Sequence, residues 1–364
     1  MVSDVLIVKM SSLGDIIHAF PVVEYIRARH PEANIDWVVE RPFAPLVQAH
    51  PAVRRVLTVH TKKWRSQLFH RAIWREVTAF YHELRDISYP IILDLQGNVK
   101  SGWVTASAKG RVKVGFGYAS VPEWPNLLAT HQRINPPAGR NIREDYLFLA
   151  KSAFDDFTPV EDKGVRLKLT EQETKQLAPI LEHCGRLKGV KLLICSGSNW
   201  PNKQLSRESL EGFLKALVER MPDVHCLFAW GSQAEKDLAD QVAALFPSHC
   251  FVVDKLSLPA LQNLMVAVDL VFAMDSLPLH LAGTTATPTF SIFGASAAEK
   301  YKPIGQFHHA LQGTCPYGEK FEKRCRLLRT CQTGACVKQL DGKRVFDNFF
   351  ACWSVLQSGQ KSTQ

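Results

Sequence analysis

A chain of 364 residues exceeds what one hydrophobic core usually organises and points to two domains of ordinary size. Apolar residues make up 46% and charged residues 22%, the balance of a folded globular protein, and no run of about 18 apolar residues exists to span a bilayer. The net charge of +9 favours acidic ligands such as nucleotide phosphates or anionic lipid headgroups. Its lysines and arginines form no aromatic-interleaved stripe, so nucleic acid is not expected as a partner.

The first strand signal, an apolar run at residues 5–9, starts almost at once. That spacing leaves no room for a secretory leader and predicts a cytoplasmic protein. The loop Ser11-Ser12-Leu13-Gly14-Asp15 follows, then a helix that Pro21 interrupts. Further strands are predicted at 35–40, 53–59, 91–95 and 112–115. The longest helix of this half is predicted from about 67 to 85, with Ile73, Val77, Phe80, Tyr81 and Leu84 at helical spacing. Residues 155–170 are polar and read as a linker. A second alternating series then places strands at 192–195, 226–230, 251–253, 270–273 and 289–293, with helices at 207–220 and 233–246. A long Cys-rich loop at 294–341 and a helix at 345–356 end the order.

This alternation predicts an α/β protein of two doubly wound domains. The boundaries read as 1–165, 166–343, and a tail at 344–364 that packs back on the first domain. Two such sheets can turn their carboxyl ends to a central cleft and bind one ligand each.

The chemistry-bearing segments fall at strand ends. Gly14 permits a tight turn and Asp15 offers a carboxylate, with helix capping as its alternative use. Ser11 and Ser12 add hydroxyls beside it. In the same half, Lys100 of the segment Asp94-Leu95-Gln96-Gly97-Asn98-Val99-Lys100 joins Lys62 and Arg65 as a basic wall for an anionic acceptor. In the second half, Ser198 and Lys203 suit a diphosphate, one by hydrogen bonding and the other as a point charge. Glu235 stands where a carboxylate can accept ribose hydroxyls, or it is an ordinary first-turn helix acid. Asp275, Ser276 and His280 follow the strand at 270–273, with Ser276 near a helix N-terminus suited to phosphate. His280 is alternatively a core histidine. Of the nine cysteines, Cys315, Cys325, Cys331 and Cys336 crowd together at spacings foreign to standard zinc motifs. They read as a candidate metal cluster or as free thiols.

Taken together, LIVKMSSLGDIIHAFPVVEYI, KKWR, IILDLQGNVKSG and the Asp275–His280 segment resemble the lipopolysaccharide heptosyltransferases, glycosyltransferase family 9. The first-half segments are most similar to the branch that adds the first heptose to Kdo on lipid A. The resemblance implies the GT-B fold, with two Rossmann-like domains, acceptor on the first and ADP-heptose on the second. It implies inverting transfer from ADP-L-glycero-D-manno-heptose to a Kdo-lipid A type acceptor, without a required metal. A different nucleotide sugar or a protein acceptor is the alternative. Asp15 takes the family's general-base position. Ser198, Lys203, Glu235, Asp275, Ser276 and His280 take its donor-binding positions. The acceptor is a lipid-linked anionic saccharide, which implies work at the cytosolic face of the inner membrane.

Overall fold

The computed structural model describes residues 4–67, 70–161 and 163–361. The chain divides into two compact units, Met1–Lys168 and Leu169–Gln364.

The first unit carries a six-stranded, wholly parallel sheet of β1 (Asp4–Val8), β2 (Asn34–Glu40), β3 (Val53–Val59), β4 (Tyr89–Asp94), β5 (Gly110–Phe116) and β6 (Gln132–Ile134), ordered β3-β2-β1-β4-β5-β6. Helices cross over between the strands, so central strands are covered on both faces and read as continuous apolar runs rather than alternations. Val5, Leu6, Ile7 and Val8 of β1 are all fully buried. The second unit repeats the plan with β7 (Val190–Cys195), β8 (Val224–Phe228), β9 (Cys250–Val252), β10 (Leu270–Met274), β11 (Thr289–Phe293) and β12 (His308–Gln312), ordered β12-β11-β10-β7-β8-β9. In each sheet the chain reverses its direction of winding beside the first strand, between β1 and β4 and between β7 and β10. Such a switch point opens a crevice at the carboxyl strand ends.

Three sequence expectations need correction. The helix expected over 67–85 runs from Arg71 to Arg85, and a separate short helix, Thr61–Ser66, precedes it, so the KKWR segment is itself helical. Leu68 and Phe69 of that stretch lie outside the described residues. The long loop at 294–341 contains β12, and β6 was also unforeseen. Both are edge strands with half-buried or exposed polar residues such as His308, His309 and Gln132, so they lack the apolar run that marks a central strand.

The last helix, Gly342–Lys361, is part of the second unit rather than a separate tail. It lies against Arg207–Arg220, where two glycines meet: a Cβ on Gly212 would stand 3.4 Å from Gly342 Cα. Phe349 then reaches Phe213 and Phe290, with ring centroids 5.6 Å away in each case. Val345, Phe349 and Leu356 belong to the core of this unit.

One buried histidine of the first unit couples folding to acid. His50 is fully buried against Phe20, at 4.7 Å between ring centroids. Burial, with a smaller push from Lys168, lowers its pKa to about 3, and Glu24 at 3.4 Å from Nε2 does not offset the loss of water. The unfolded chain takes up this proton near its ordinary value and the folded chain does not. Stability is therefore complete above pH ~6.5 and falls by about 1.4 kcal/mol per pH unit between ~6.5 and ~3. Urea denaturation of a His50→Gln variant should show a shallower loss between pH 6.5 and pH 4.5, by about 2 kcal/mol. Equal slopes in both proteins would remove His50 from the acid response.

Candidate active site

At the switch point of the first unit, two loops are tied together. Gln96, just past β4, accepts hydrogen bonds through Oε1 from the backbone N–H groups of Met10 and Ser11, both 3.1 Å. The loop after β4 is fixed in turn by buried Asp94. Its carboxylate accepts from the N–H of Gln96 (3.0 Å) and Gly97 (2.9 Å), and from Thr105 Oγ1 (3.1 Å) and Asn126 Nδ2 (2.7 Å). Gly97 has φ +72°, and a Cβ there would strike Pro122 Cδ at 2.6 Å, so glycine is required on both counts.

Asp15 occupies the first turn of the helix Leu13–His18. Its Oδ2 accepts from Ser12 N–H (3.1 Å) and Ser12 Oγ (2.7 Å). It therefore does cap its helix. Capping uses one oxygen, and Oδ1 accepts no hydrogen bond among the described residues. Beneath it lies Lys9, which is buried and donates to Leu95 O (3.0 Å) and to the Tyr146 hydroxyl (2.8 Å). Burial pulls the Lys9 ammonium below the usual lysine range, and the neighbouring carboxylates of Asp15 and Asp94 push it back up.

The basic residues expected nearby are partly gathered. Lys100 Nζ donates to Thr61 Oγ1 at 3.2 Å, and Thr61 hydrogen-bonds Glu40 through both its N–H and its hydroxyl. This joins the helix Val99–Ser107 to the helix Thr61–Ser66, which carries Lys62 and Arg65 exposed. Lys63 pairs with Glu76 at 2.7 Å.

At the switch point of the second unit, Lys203 is held almost out of water. Its Nζ donates to Asp275 Oδ2 at 2.5 Å and to Ser296 Oγ at 2.8 Å. The loop after β7 thus meets the ends of β10 and β11. Ser276 begins the helix Leu277–Ala282, and its Oγ is buried without a hydrogen-bond partner. His280 lies on the same helix, half-buried. Ser198 is buried, and its Oγ accepts from Trp200 N–H at 3.3 Å. Glu235 folds back over the loop after β7: a Cβ on Gly197 would stand 2.3 Å from Glu235 Cδ. It also accepts from Gly231 N–H at 2.7 Å and caps its own helix with Ser232.

Sequence reasoning missed Lys9, Gln96 and Ser296. Lys9 closes an apolar strand and Gln96 follows one, so their strand-end positions carried the signal. Ser296 also sits just past a strand, at the start of the Cys-rich segment. The four cysteines do converge. Cys315, Cys325, Cys331 and Cys336 line one cavity of about 20 Å³, all as free thiols. Burial and the other three sulfurs push Cys336 up to about 11, whereas the Gly334 N–H lowers Cys331. Among the described residues, no group of three or more His, Cys, Asp or Glu side chains is arranged to hold a metal ion. The segment does buttress the lysine: Asn202 Nδ2 donates to Leu328 O (2.7 Å) and Cys331 O (3.1 Å), and Cys325 N–H donates to Ala295 O (2.7 Å).

Two doubly wound units in one chain, each with charged loops at its switch point, make the GT-B build of a nucleotide-sugar transferase. The fold matches E. coli heptosyltransferase WaaC with ADP-2-deoxy-2-fluoro heptose, at a TM-score of 0.70 and 24% identity over 92% of this chain and 98% of that one. It also matches E. coli ADP-heptose LPS heptosyltransferase II, at a TM-score of 0.68 and 17% identity over 98% and 99%. The family model for glycosyltransferase family 9 (heptosyltransferase) matches residues 77–330, and the chain belongs to that family. Lipopolysaccharide heptosyltransferase 1 of Pseudomonas aeruginosa is 31% identical over 327 residues, 88% of this chain and 87% of the relative.

Proposed function

We propose that this enzyme transfers heptose from ADP-L-glycero-D-manno-heptose to a Kdo-lipid A type acceptor, with inversion at the anomeric carbon, at the cytosolic face of the inner membrane. What supports the reading is an uncommitted Asp15 oxygen at the switch point of the first unit and a buried, oriented Lys203 at that of the second, each observed within its own unit. Asp15 removes the proton of the acceptor hydroxyl as that oxygen forms its bond to the anomeric carbon. The bond to the ADP oxygen breaks, and charge develops on the distal phosphate. Lys203 and the hydroxyls of Ser198 and Ser276 stabilise that charge, and the reaction draws on no metal ion. Glu235 accepts hydrogen bonds from the ribose. Lys62, Arg65 and Lys100 meet the anionic groups of the acceptor, while Ser11, Ser12 and Gly14 shape its approach to the base. His280 supports the donor loop, and the four cysteines brace the segment behind Lys203.

The heptosyltransferases named above support the choice of donor and acceptor, and strand-end placement supports the site residues. The test is direct. Purified enzyme with ADP-heptose and Kdo-lipid A should give an acceptor heavier by one heptose in mass spectrometry, and ADP should compete with the donor while UDP and GDP do not. No transfer, or equal competition by the three diphosphates, would overturn the proposal.

A further inference from the structure

The first unit exposes large apolar side chains where two short elements meet. On the helix Val99–Ser107, Trp103 is 68% exposed, and Val99 lies one turn before it on the same face. On the neighbouring turn Trp124–Ala129, Trp124 is 70% and Leu128 81% exposed. These elements are not loose. Asn126, fully buried, donates through Nδ2 to Asp94 Oδ2 (2.7 Å), Asn98 O (3.0 Å) and Ser101 Oγ (3.2 Å) and so clamps the turn to the helix. Tyr81 extends the aromatic surface, with its ring centroid 6.4 Å from that of Trp103.

Charge is distributed one way around this surface. Between Gly117 and Leu128 the only charged residue is Glu123. Its carboxylate is committed, accepting the Val99 N–H at 2.8 Å at the start of the helix. Cations stand on the rim: Lys100 is exposed beside Val99, and Arg133 reaches the Tyr118 hydroxyl at 2.9 Å and Leu127 O at 2.9 Å. Isolated exposed apolar residues are ordinary, whereas a rigid cluster rimmed by polar groups marks a contact surface. Tryptophans at an apolar–polar boundary with lysine and arginine around them suit the headgroup level of a bilayer, and the cations suit anionic lipids.

We propose that Val99, Trp103, Trp124 and Leu128, rimmed by Lys100 and Arg133, form a face that docks on an anionic lipid bilayer. The proposal rests on the preceding reading for its purpose, since a lipid-linked acceptor is presented at such a surface. Docking is peripheral: among the described residues no helix is long and apolar enough to cross a membrane. Two interactions then add, apolar insertion at the centre and electrostatic attraction at the rim.

The test uses the full chain and vesicles with no acceptor and no donor, so its outcome is separate from that of the transfer assay. Wild-type protein should co-sediment with phosphatidylglycerol–phosphatidylethanolamine vesicles and bind phosphatidylcholine vesicles more weakly. A Trp103→Ser/Trp124→Ser/Leu128→Ser variant should lose at least about tenfold in vesicle affinity while its ADP binding and its transfer to a deacylated acceptor stay unchanged. Lipids brominated along the acyl chain should quench the tryptophan fluorescence of the unmodified protein, which keeps the test open if the variant folds poorly. Absence of vesicle binding, equal binding by the variant, or no quenching would overturn the proposal. So would a wild-type dimer in sedimentation velocity that the variant abolishes, because the face would then join two copies of the chain.

Discussion

Replacing Asp15 with Asn should lower the turnover of heptose transfer by about 10²–10⁴-fold and leave ADP affinity within about twofold of wild type. The amide is nearly the same shape as the carboxylate. Its oxygen can still accept from Ser12 N–H and Oγ, which lie 3.1 Å and 2.7 Å from Oδ2, so the start of the helix keeps its cap. What it loses is basicity at the oxygen that takes no hydrogen bond. Asp15→Ala removes the cap as well and should cost about 1 kcal/mol of stability in addition. The two variants together separate the roles. If Asn and Ala are equally inactive and only Ala melts earlier, the carboxylate has a chemical role beyond capping. If Asp15→Asn turns over like wild type, the base lies elsewhere and the mechanism fails.

The fold was legible because both sheets are parallel and covered on both faces. β1, β4, β7 and β10 each carry a continuous apolar run, and Leu6-Ile7-Val8 or Leu270-Val271-Phe272 announce this directly. The edge strands β6 and β12 escape for the converse reason: one side of each has no neighbour, so Arg133 and His308 are tolerated there. The candidate site was legible as a set of strand-end loops. Its connectivity was not. No local pattern indicates that Lys203 would spend its charge on Asp275, 72 residues away, or that Gln96 would hold the loop of Ser11, 85 residues away. These contacts are set by the order of strands around the switch points, which only the folded sheet fixes. Lys9 shows the same limit, since its role depends on Asp15 and Asp94 closing over it from two different strand ends.

Lys203→Met should be among the most destabilising single substitutions in the second unit, and it should also weaken ADP binding. The side chains of Lys203 and Asp275 are only 9% and 6% exposed, so removing the ammonium leaves a buried carboxylate without its counter-charge. Losing one partner of a buried pair costs about 3–5 kcal/mol, whereas replacing both by apolar groups of similar volume is often nearly neutral. A Lys203→Met/Asp275→Leu double variant should therefore recover most of the stability in urea denaturation. Its ADP affinity should remain low by about 10- to 100-fold, the worth of one charge-assisted hydrogen bond to a phosphate oxygen. Stability and binding thus move apart in the double variant, and that separation distinguishes a lysine that contacts the diphosphate from one that only fills a buried pair. Calorimetric titration with ADP reads the binding limb. Wild-type ADP affinity in the double variant would confine Lys203 to a structural role, and unchanged stability in Lys203→Met would mean that water reaches Asp275 freely.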